Sequence, residues 1–365
     1  MTRAHIKWRS LSLATFLTLG IMPLAAALAD ERADMIDKLF HDFDKPGAPG
    51  ASVMVIRNGK VLCARAYGLA NVEKSERNTT ATNFRLASLS KQFTAMAIMI
   101  LADAGKLRLD DSITNFFPEF PEYGKAITVR HLLNHTSGLV DYEDVIPKGT
   151  TLPVLDFNVL RLLMQQDHAL FPAGSKFQYS NSGYALLALI VERVSGKTFA
   201  SFLKRQIFKP LGMTNTVAYE SGISQVAHRA FGYTQAGEQW KLNDQSLTSS
   251  VLGDGGVYSS VEDLFKWDQA LYGTRLVSRK ILKAAFTPGN STLHDKGVEY
   301  GFGWFLSEYR GLRNIWHYGS TVGFATRISR FPDKKFTVII LSNRDNAPLT
   351  EMLNKIVDLY LFDAK

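Results

Sequence analysis

From Phe93 to Leu101 the chain reads FTAMAIMIL, and only Thr94 breaks the apolar run. A helix over this stretch is hydrophobic on every side, so the rest of the fold must enclose it. Its entry, Ser88-Leu89-Ser90-Lys91, sets a serine and a lysine three residues apart. At about 100° per residue both side chains lie on one face, roughly one turn apart. Burying an ammonium there is costly unless it is paired or kept neutral. Burial lowers a lysine's pKa, and a lysine so placed can take a proton from the neighbouring hydroxyl. The helix start adds unpaired N–H groups that favour negative charge. Ser88 and Lys91 therefore outline a nucleophile site.

The pattern on either side of this helix sets the fold class. Val53–Leu62 reads as two strands about Asn58-Gly59, the strongest short hairpin signal. Gly105 is placed as a left-handed cap ending the central helix. From Leu107 to Val251 the pattern is mostly helical, with helices expected at Val129–Leu133, Leu155–Met164, Tyr184–Val194 and Phe199–Phe208. Val261–Leu271 should open with a capping box, Ser259 to Glu262. The last hundred residues switch to period two. Four strands are expected there, at Gly301–Leu306, Leu312–His317, Phe324–Phe331 and Phe336–Ser342, with a turn at Pro332–Lys335. An amphipathic helix, Pro348–Phe362, closes the chain. The class is α/β (α+β): one antiparallel sheet built from both chain ends, flanked by helices, with a helical insertion beside it. The expected division is a sheet lobe over about 30–104 and 253–365 and a helical lobe over about 105–252. The site would lie in the cleft between them.

The first 29 residues read as a signal peptide. Arg3, Lys7 and Arg9 precede an apolar core, Leu11–Leu24, and Ala27-Leu28-Ala29 supplies small residues before a cut ahead of Asp30. The core is short for a membrane span of about 20 residues. A periplasmic or secreted location follows, with no stable membrane anchor. Losing the three basic residues lowers the formal charge from +8 to +5. The remaining Lys and Arg are scattered, which gives no footprint for nucleic acid. The single cysteine, Cys63, sits in a strand pattern and reads as a small buried hydrophobe.

Two further motifs bear on the chemistry. Tyr179-Ser180-Asn181 precedes a buried helix; a phenol near an ammonium is expected to have a lowered pKa and to shuttle protons. Asn181 can bond both Lys91 and a substrate carbonyl. His317-Tyr318-Gly319-Ser320 ends a strand, and Gly319 would let that strand approach a substrate closely. A second Ser-x-x-Lys, Ser201–Lys204, lies on a helix whose buried stripe is Phe199, Phe202, Leu203, Gln206 and Ile207, so its serine and lysine should face water. His131 and His135 have zinc-like spacing without a third ligand, and Asp110-Asp111 reads as a turn cap.

Ser88–Lys91, Tyr179–Asn181 and His317–Ser320, in this order, resemble the penicillin-recognising serine hydrolases. That superfamily includes class C β-lactamases, DD-peptidases, D-aminopeptidases and related esterases. The likeness extends over Phe84–Ala95, Ile127–Leu139, Phe171–Val194, Pro210–Met213 and Gly255–Leu264. It implies a β-lactamase/transpeptidase-like fold and Ser88 as the acylated nucleophile. Lys91 would exchange the Ser88 proton. Tyr179 would be general base and then general acid, and Asn181 would position the substrate. The amides of Ser88 and Ser320 would form the oxyanion hole. His317 stands where many β-lactamases carry lysine, which weakens the case for efficient β-lactam hydrolysis. The expectation is an exported serine hydrolase with no metal and no cofactor. Its partner would be a small-molecule or peptide substrate, peptidoglycan-derived ones among them. D-alanyl peptides, D-aminoacyl amides, esters and β-lactams all fit. Tyr142, Trp304 and Phe324 are expected to wall the pocket. The alternative is a non-catalytic envelope protein that keeps the fold for binding.

Overall fold

The computed structural model describes Met1, residues 24–289 and residues 297–362. Its centre is a seven-stranded antiparallel sheet made of β1 (Ala51–Arg57), β2 (Lys60–Tyr67), β3 (Glu299–Tyr300), β4 (Phe305–Tyr309), β5 (Leu312–Thr321), β6 (Phe324–Phe331) and β7 (Phe336–Ser342). The order across it is β3-β4-β5-β6-β7-β1-β2. Strands from the two ends of the chain thus meet at β1 and β7, in register from Ala51 with Ser342 to Arg57 with Phe336. Asn58 and Gly59 both adopt positive φ, 52° and 73°, as a two-residue hairpin turn demands.

Alternation along the strands sorts the core into two layers. In β1, Val53 and Val55 face outward; in β7, Val338 and Ile340 do the same. They meet α1 (Leu24–Leu39) and α12 (Leu349–Leu361), which contribute Ile36, Leu353, Ile356 and Val357. Met54, Ile56, Ile339 and Leu341 face the other way, into the larger cluster around α2 (Lys91–Asp103). Phe93, Ala95, Ala97 and Ile98 are all fully buried, as an all-round apolar helix requires. Each large apolar side chain enclosed this way contributes about 1.5–3 kcal/mol. Gly105, at φ 68°, caps the end of α2.

The shell around α2 is helical: α3 (Val129–Leu133), α4 (Tyr142–Val145), α5 (Asp156–Met164), α6 (Asn181–Ser195), α7 (Phe199–Leu203), α8 (Lys209–Leu211), α9 (Leu252–Gly255), α10 (Val261–Ala270) and α11 (Arg279–Ala285). Several expectations are corrected. The middle of the chain also holds strands at Val217–Ala218, Tyr233–Ala236 and Gln239–Leu242. The last two form a hairpin about Gly237, whose largely polar residues give no period-two signal. The strand expected at Gly301–Leu306 starts at Phe305 instead, because Gly303 at φ 78° bends the chain against the start of α2. The cap of α10 is Ser260, whose hydroxyl accepts the Asp263 amide; Ser259 instead ends a short strand and meets Thr216. Gln206 is exposed, not part of a buried stripe. Residues 2–23 of the expected signal peptide lie outside the described residues.

Candidate active site

Ser88 is not inside α2 but in a 3-10 turn, Ala87–Ser90, that leads into it. Ala87 adopts φ 50°, a left-handed conformation costing a non-glycine residue about 1–3 kcal/mol, so the surroundings must hold it. They do so with backbone contacts. Leu86 donates its amide to the Val257 carbonyl, and the Leu86 carbonyl accepts the Thr326 hydroxyl at 2.8 Å. A Cβ on Gly319 would come within 2.1 Å of that same carbonyl. The glycine expected to admit a substrate therefore admits the nucleophile turn itself, which lays β5 at Gly319 against Leu86 and Ala87. Beyond Trp316, β5 has no ladder partner on the β4 side among the described residues, so its edge is open there.

Lys91 is the hub. Its side chain is fully buried and donates to Ser88 Oγ (3.1 Å), Asn181 Oδ1 (2.9 Å) and the Asp254 carbonyl (2.9 Å). Its Nζ also lies 4.9 Å from the Tyr179 ring centre and 5.5 Å from that of Tyr184. Burial lowers its pKa to about 8, against opposing pulls from Asp254, Asp141 and Glu143. A lysine at that value can give and take a proton near neutral pH.

Asn181 opens α6, where its amide donates to Asp141 Oδ2 at 3.0 Å. Asp141 also caps α4. Tyr179 lies in the loop before, and its hydroxyl is buried without a hydrogen-bond partner among the described residues. The expected lowering of its pKa is corrected. Burial raises it well above that of a free phenol and outweighs the opposing effect of the Ser88 hydroxyl. The ammonium lies over the ring face, not beside the oxygen, so it does little for a phenolate. Tyr179 is therefore kept protonated.

His317 lies at the back of the site. It is fully buried, and its Nδ1–H donates to the Tyr318 carbonyl at 2.7 Å. Its Nε2 then accepts the Tyr300 hydroxyl at 2.9 Å. Burial, with Lys91 nearby, lowers its pKa to about 3, so the ring is neutral at ordinary pH and presents no charge to a substrate. Tyr142, Trp304 and Phe324, expected as pocket walls, are buried to 1%, 1% and 0% exposure. Tyr142 supports the site from behind, with its hydroxyl donating to Asp254 Oδ2 at 3.0 Å.

His131 and His135 do not converge. His131 Nδ1 accepts the Thr128 amide in the cap of α3, whereas His135 packs at a tilt against the Tyr179 ring and accepts the Ser180 amide. Asp110 and Asp111 pair separately with Arg130 and Arg108. Ser201 is half-buried and Lys204 is exposed. Asp254, Asp141, Tyr300 and His135 were missed as site residues. Only Gly253-Asp254-Gly255-Gly256 offered a signal, an acid inside a glycine-rich break.

A serine, a lysine of lowered pKa, a protonated phenol and an amide thus converge at an open strand edge, the parts needed to form and break an acyl ester. The comparisons agree with this chemistry. The chain is 34% identical over 326 residues to Penicillin-binding protein 4* of Bacillus subtilis (strain 168), covering 85% of this chain and 71% of that protein. It superposes with a TM-score of 0.78 on a penicillin-binding protein homologue from Pyrococcus abyssi at 28% identity, covering 90% of this chain and 76% of the other. A D-amino acid amidase from Ochrobactrum anthropi SV3 shares the fold at a TM-score of 0.75 and 23% identity, covering 90% and 98%. The profile of the family described as Beta-lactamase matches residues 36–361. With the nucleophile turn, the lysine hub and that match in hand, the chain belongs to the Beta-lactamase family and is a serine hydrolase of its penicillin-recognising superfamily.

Proposed function

We propose that this protein is an exported hydrolase that works through a Ser88 acyl-enzyme and favours D-aminoacyl, D-alanyl or simple ester substrates over β-lactams. The observation that carries the reading is Lys91 Nζ lying between Ser88 Oγ and Asn181 Oδ1 under the Tyr179 ring. Lys91, neutral in part of the population at pH 7, takes the Ser88 proton as Oγ attacks the carbonyl carbon. The amides of Ser88 and Ser320 receive the oxyanion, which is the largest electrostatic contribution such sites make. Tyr179, kept protonated by burial, donates its proton to the leaving nitrogen or oxygen as the tetrahedral adduct collapses. Water then attacks the Ser88 ester by the reverse traffic, and Asn181 holds the acyl group's amide. This assigns the base role in acylation to Lys91, not to Tyr179.

The neutral, enclosed imidazole of His317 supports the D-aminoacyl amide and simple ester part of this preference, because it offers no cation to a substrate carboxylate. The test is intact mass after mixing with a short aryl ester, a D-aminoacyl amide and a penicillin, beside Ser88→Ala. Acyl adducts or turnover with the first two, and slow or absent reaction with the third, are expected. Fast penicillin hydrolysis would overturn the preference, and adducts on the Ser88→Ala protein would overturn the nucleophile.

A further inference from the structure

Behind the lysine hub lies a carboxylate that the chemistry above does not use. Asp156 is 8% exposed, and among the described residues no ion pair reaches it. Isolated buried carboxylates are expensive, so a native one calls for a reason. Burial raises its pKa to about 7, and two amides pull the other way: Oδ2 accepts the Leu252 amide at 2.9 Å and Oδ1 the Gly253 amide at 3.0 Å. These are the first two residues of α9, a helix of only four residues.

The other side of α9 faces the nucleophile helix. The Gly253 carbonyl accepts the Thr94 hydroxyl at 2.6 Å, and the Asp254 carbonyl accepts Lys91 Nζ at 2.9 Å. Just beyond, the Val257 amide donates to Ser90 Oγ at 3.0 Å. Behind α9, a Cβ on Gly253 would fall 2.2 Å from the Tyr184 carbonyl, so the turn is pressed onto α6 with no slack on that side. One short peptide segment thus presents N–H groups to Asp156 and C=O groups to Lys91. The bonds lie end to end, carboxylate to amide, then carbonyl to ammonium.

We propose that Asp156 is a positioning residue for Lys91: by holding the Leu252 and Gly253 amides it fixes the Asp254 carbonyl as the lysine's third acceptor. The inference rests on the reading of Lys91 as the acylation base. In the proposed chemistry Ser88 Oγ becomes bonded to the acyl group and Asn181 turns to the substrate amide, whereas the Asp254 carbonyl is backbone. It is the acceptor that keeps Nζ aimed while the other two change partners. Without it the ammonium loses a fixed partner, the neutral amine gains, and the lysine titrates at lower pH. Misplacing a catalytic group in this way also slows the chemical step more than it weakens substrate binding.

The test uses the full-length protein with Asp156→Asn, which keeps the shape but turns an N–H donor toward one of the two amides. Two readouts are taken: the titration of Lys91 by 13Cε NMR of lysine-labelled protein, and the kcat and KM for an aryl ester across pH. The expected result is a Lys91 titration lowered by about half a unit or more, with kcat down about tenfold or more and KM little changed. Should that variant fail to fold, Leu252→Pro removes one donor and leaves the Asp156 carboxyl group in place. Proline is tolerated at the first helical position, and Val251 at φ −76°, ψ 112° suits a residue before proline. It should shift Lys91 in the same direction by a smaller amount. A folded variant of either kind with Lys91 titrating as in the wild type and kcat unchanged would overturn the proposal. The NMR readout needs no substrate, so it stands apart from the functional reading, which fails instead if wild-type protein acylates with no probe.

Discussion

Two Ser-x-x-Lys pairs occupy helix starts in this molecule, and their surroundings share almost nothing. At Ser88 the lysine is fully buried, with three acceptors and two aromatic faces around it. At Ser201 the serine amide is spent on the cap of α7 by Thr198, and Lys204 reaches into water. The difference teaches that the spacing supplies only a shared helix face. Reactivity comes from what the fold packs over that face. Burial displaces the ammonium's titration, and fixed acceptors decide where its proton can go.

The widest gap between the pairs should appear on deleting the hydroxyl. Ser88→Ala should abolish acyl-adduct formation, read by intact mass, with the circular dichroism and melting profile unchanged. Ser201→Ala should acylate as the wild type does, and loss of adduct there would erase the contrast. Next in size is Tyr179→Phe, expected to lower the acylation rate by about 10²–10⁴ through loss of a general acid. Stopped-flow measurement with an aryl ester would check this, and an unchanged rate would take the phenol out of the mechanism.

Titration sharpens the comparison further. Because Lys91 must be neutral to accept the Ser88 proton, kcat/KM should rise with pH through about 8 and then level. Its folded pKa lies below the 10.5 of a free lysine, so between about 8 and 10.5 the folded protein binds fewer protons than the unfolded chain. The group's contribution to stability is therefore least below about 8 and grows as pH rises across that window. Denaturant titrations of wild type and Lys91→Met should differ in slope there. Parallel slopes would show that Lys91 is not held near 8. The smallest effects separate support from surface. Tyr142→Phe leaves Asp254 Oδ2 without its donor and should cost about 1–3 kcal/mol in urea unfolding. Lys204→Met should stay within about 0.5 kcal/mol.

Much of the fold and the first ring of the site were legible because they rest on local rules. Period two at both chain ends gave the strands, Asn58-Gly59 gave the hairpin, and the apolar run gave α2. Tyr179 and Asn181 were found as a motif before a buried helix. What escaped was set by contacts distant in sequence. Nothing near Asp254 or Asp156 announces that one will lend a carbonyl to Lys91 and the other hold that carbonyl's turn. The burial of His317 depends on Tyr300 arriving from β3. The direction of the Tyr179 shift is set by how deeply the phenol is buried, which spacing does not reveal. The pocket walls failed for a related reason: an aromatic residue near a motif packs into the core as readily as it lines a cleft.

The central sheet closes by joining β1 to β7, and a bond from the Gly50 amide to Asn343 Oδ1 spans 293 positions. Contacts of such separation form late in folding, since the intervening chain must first be brought round. The nucleophile at Ser88 is therefore made early during synthesis, whereas β5, with Ser320 and the Gly319 notch, emerges more than two hundred residues later. Until then a nascent chain carries the serine and the lysine but has neither the strand edge that the proposed chemistry uses for the oxyanion nor the Gly319 contact with the Ala87 turn. On the proposed mechanism reactivity is withheld by topology, and a chain stopped short of β5 should be chemically inert.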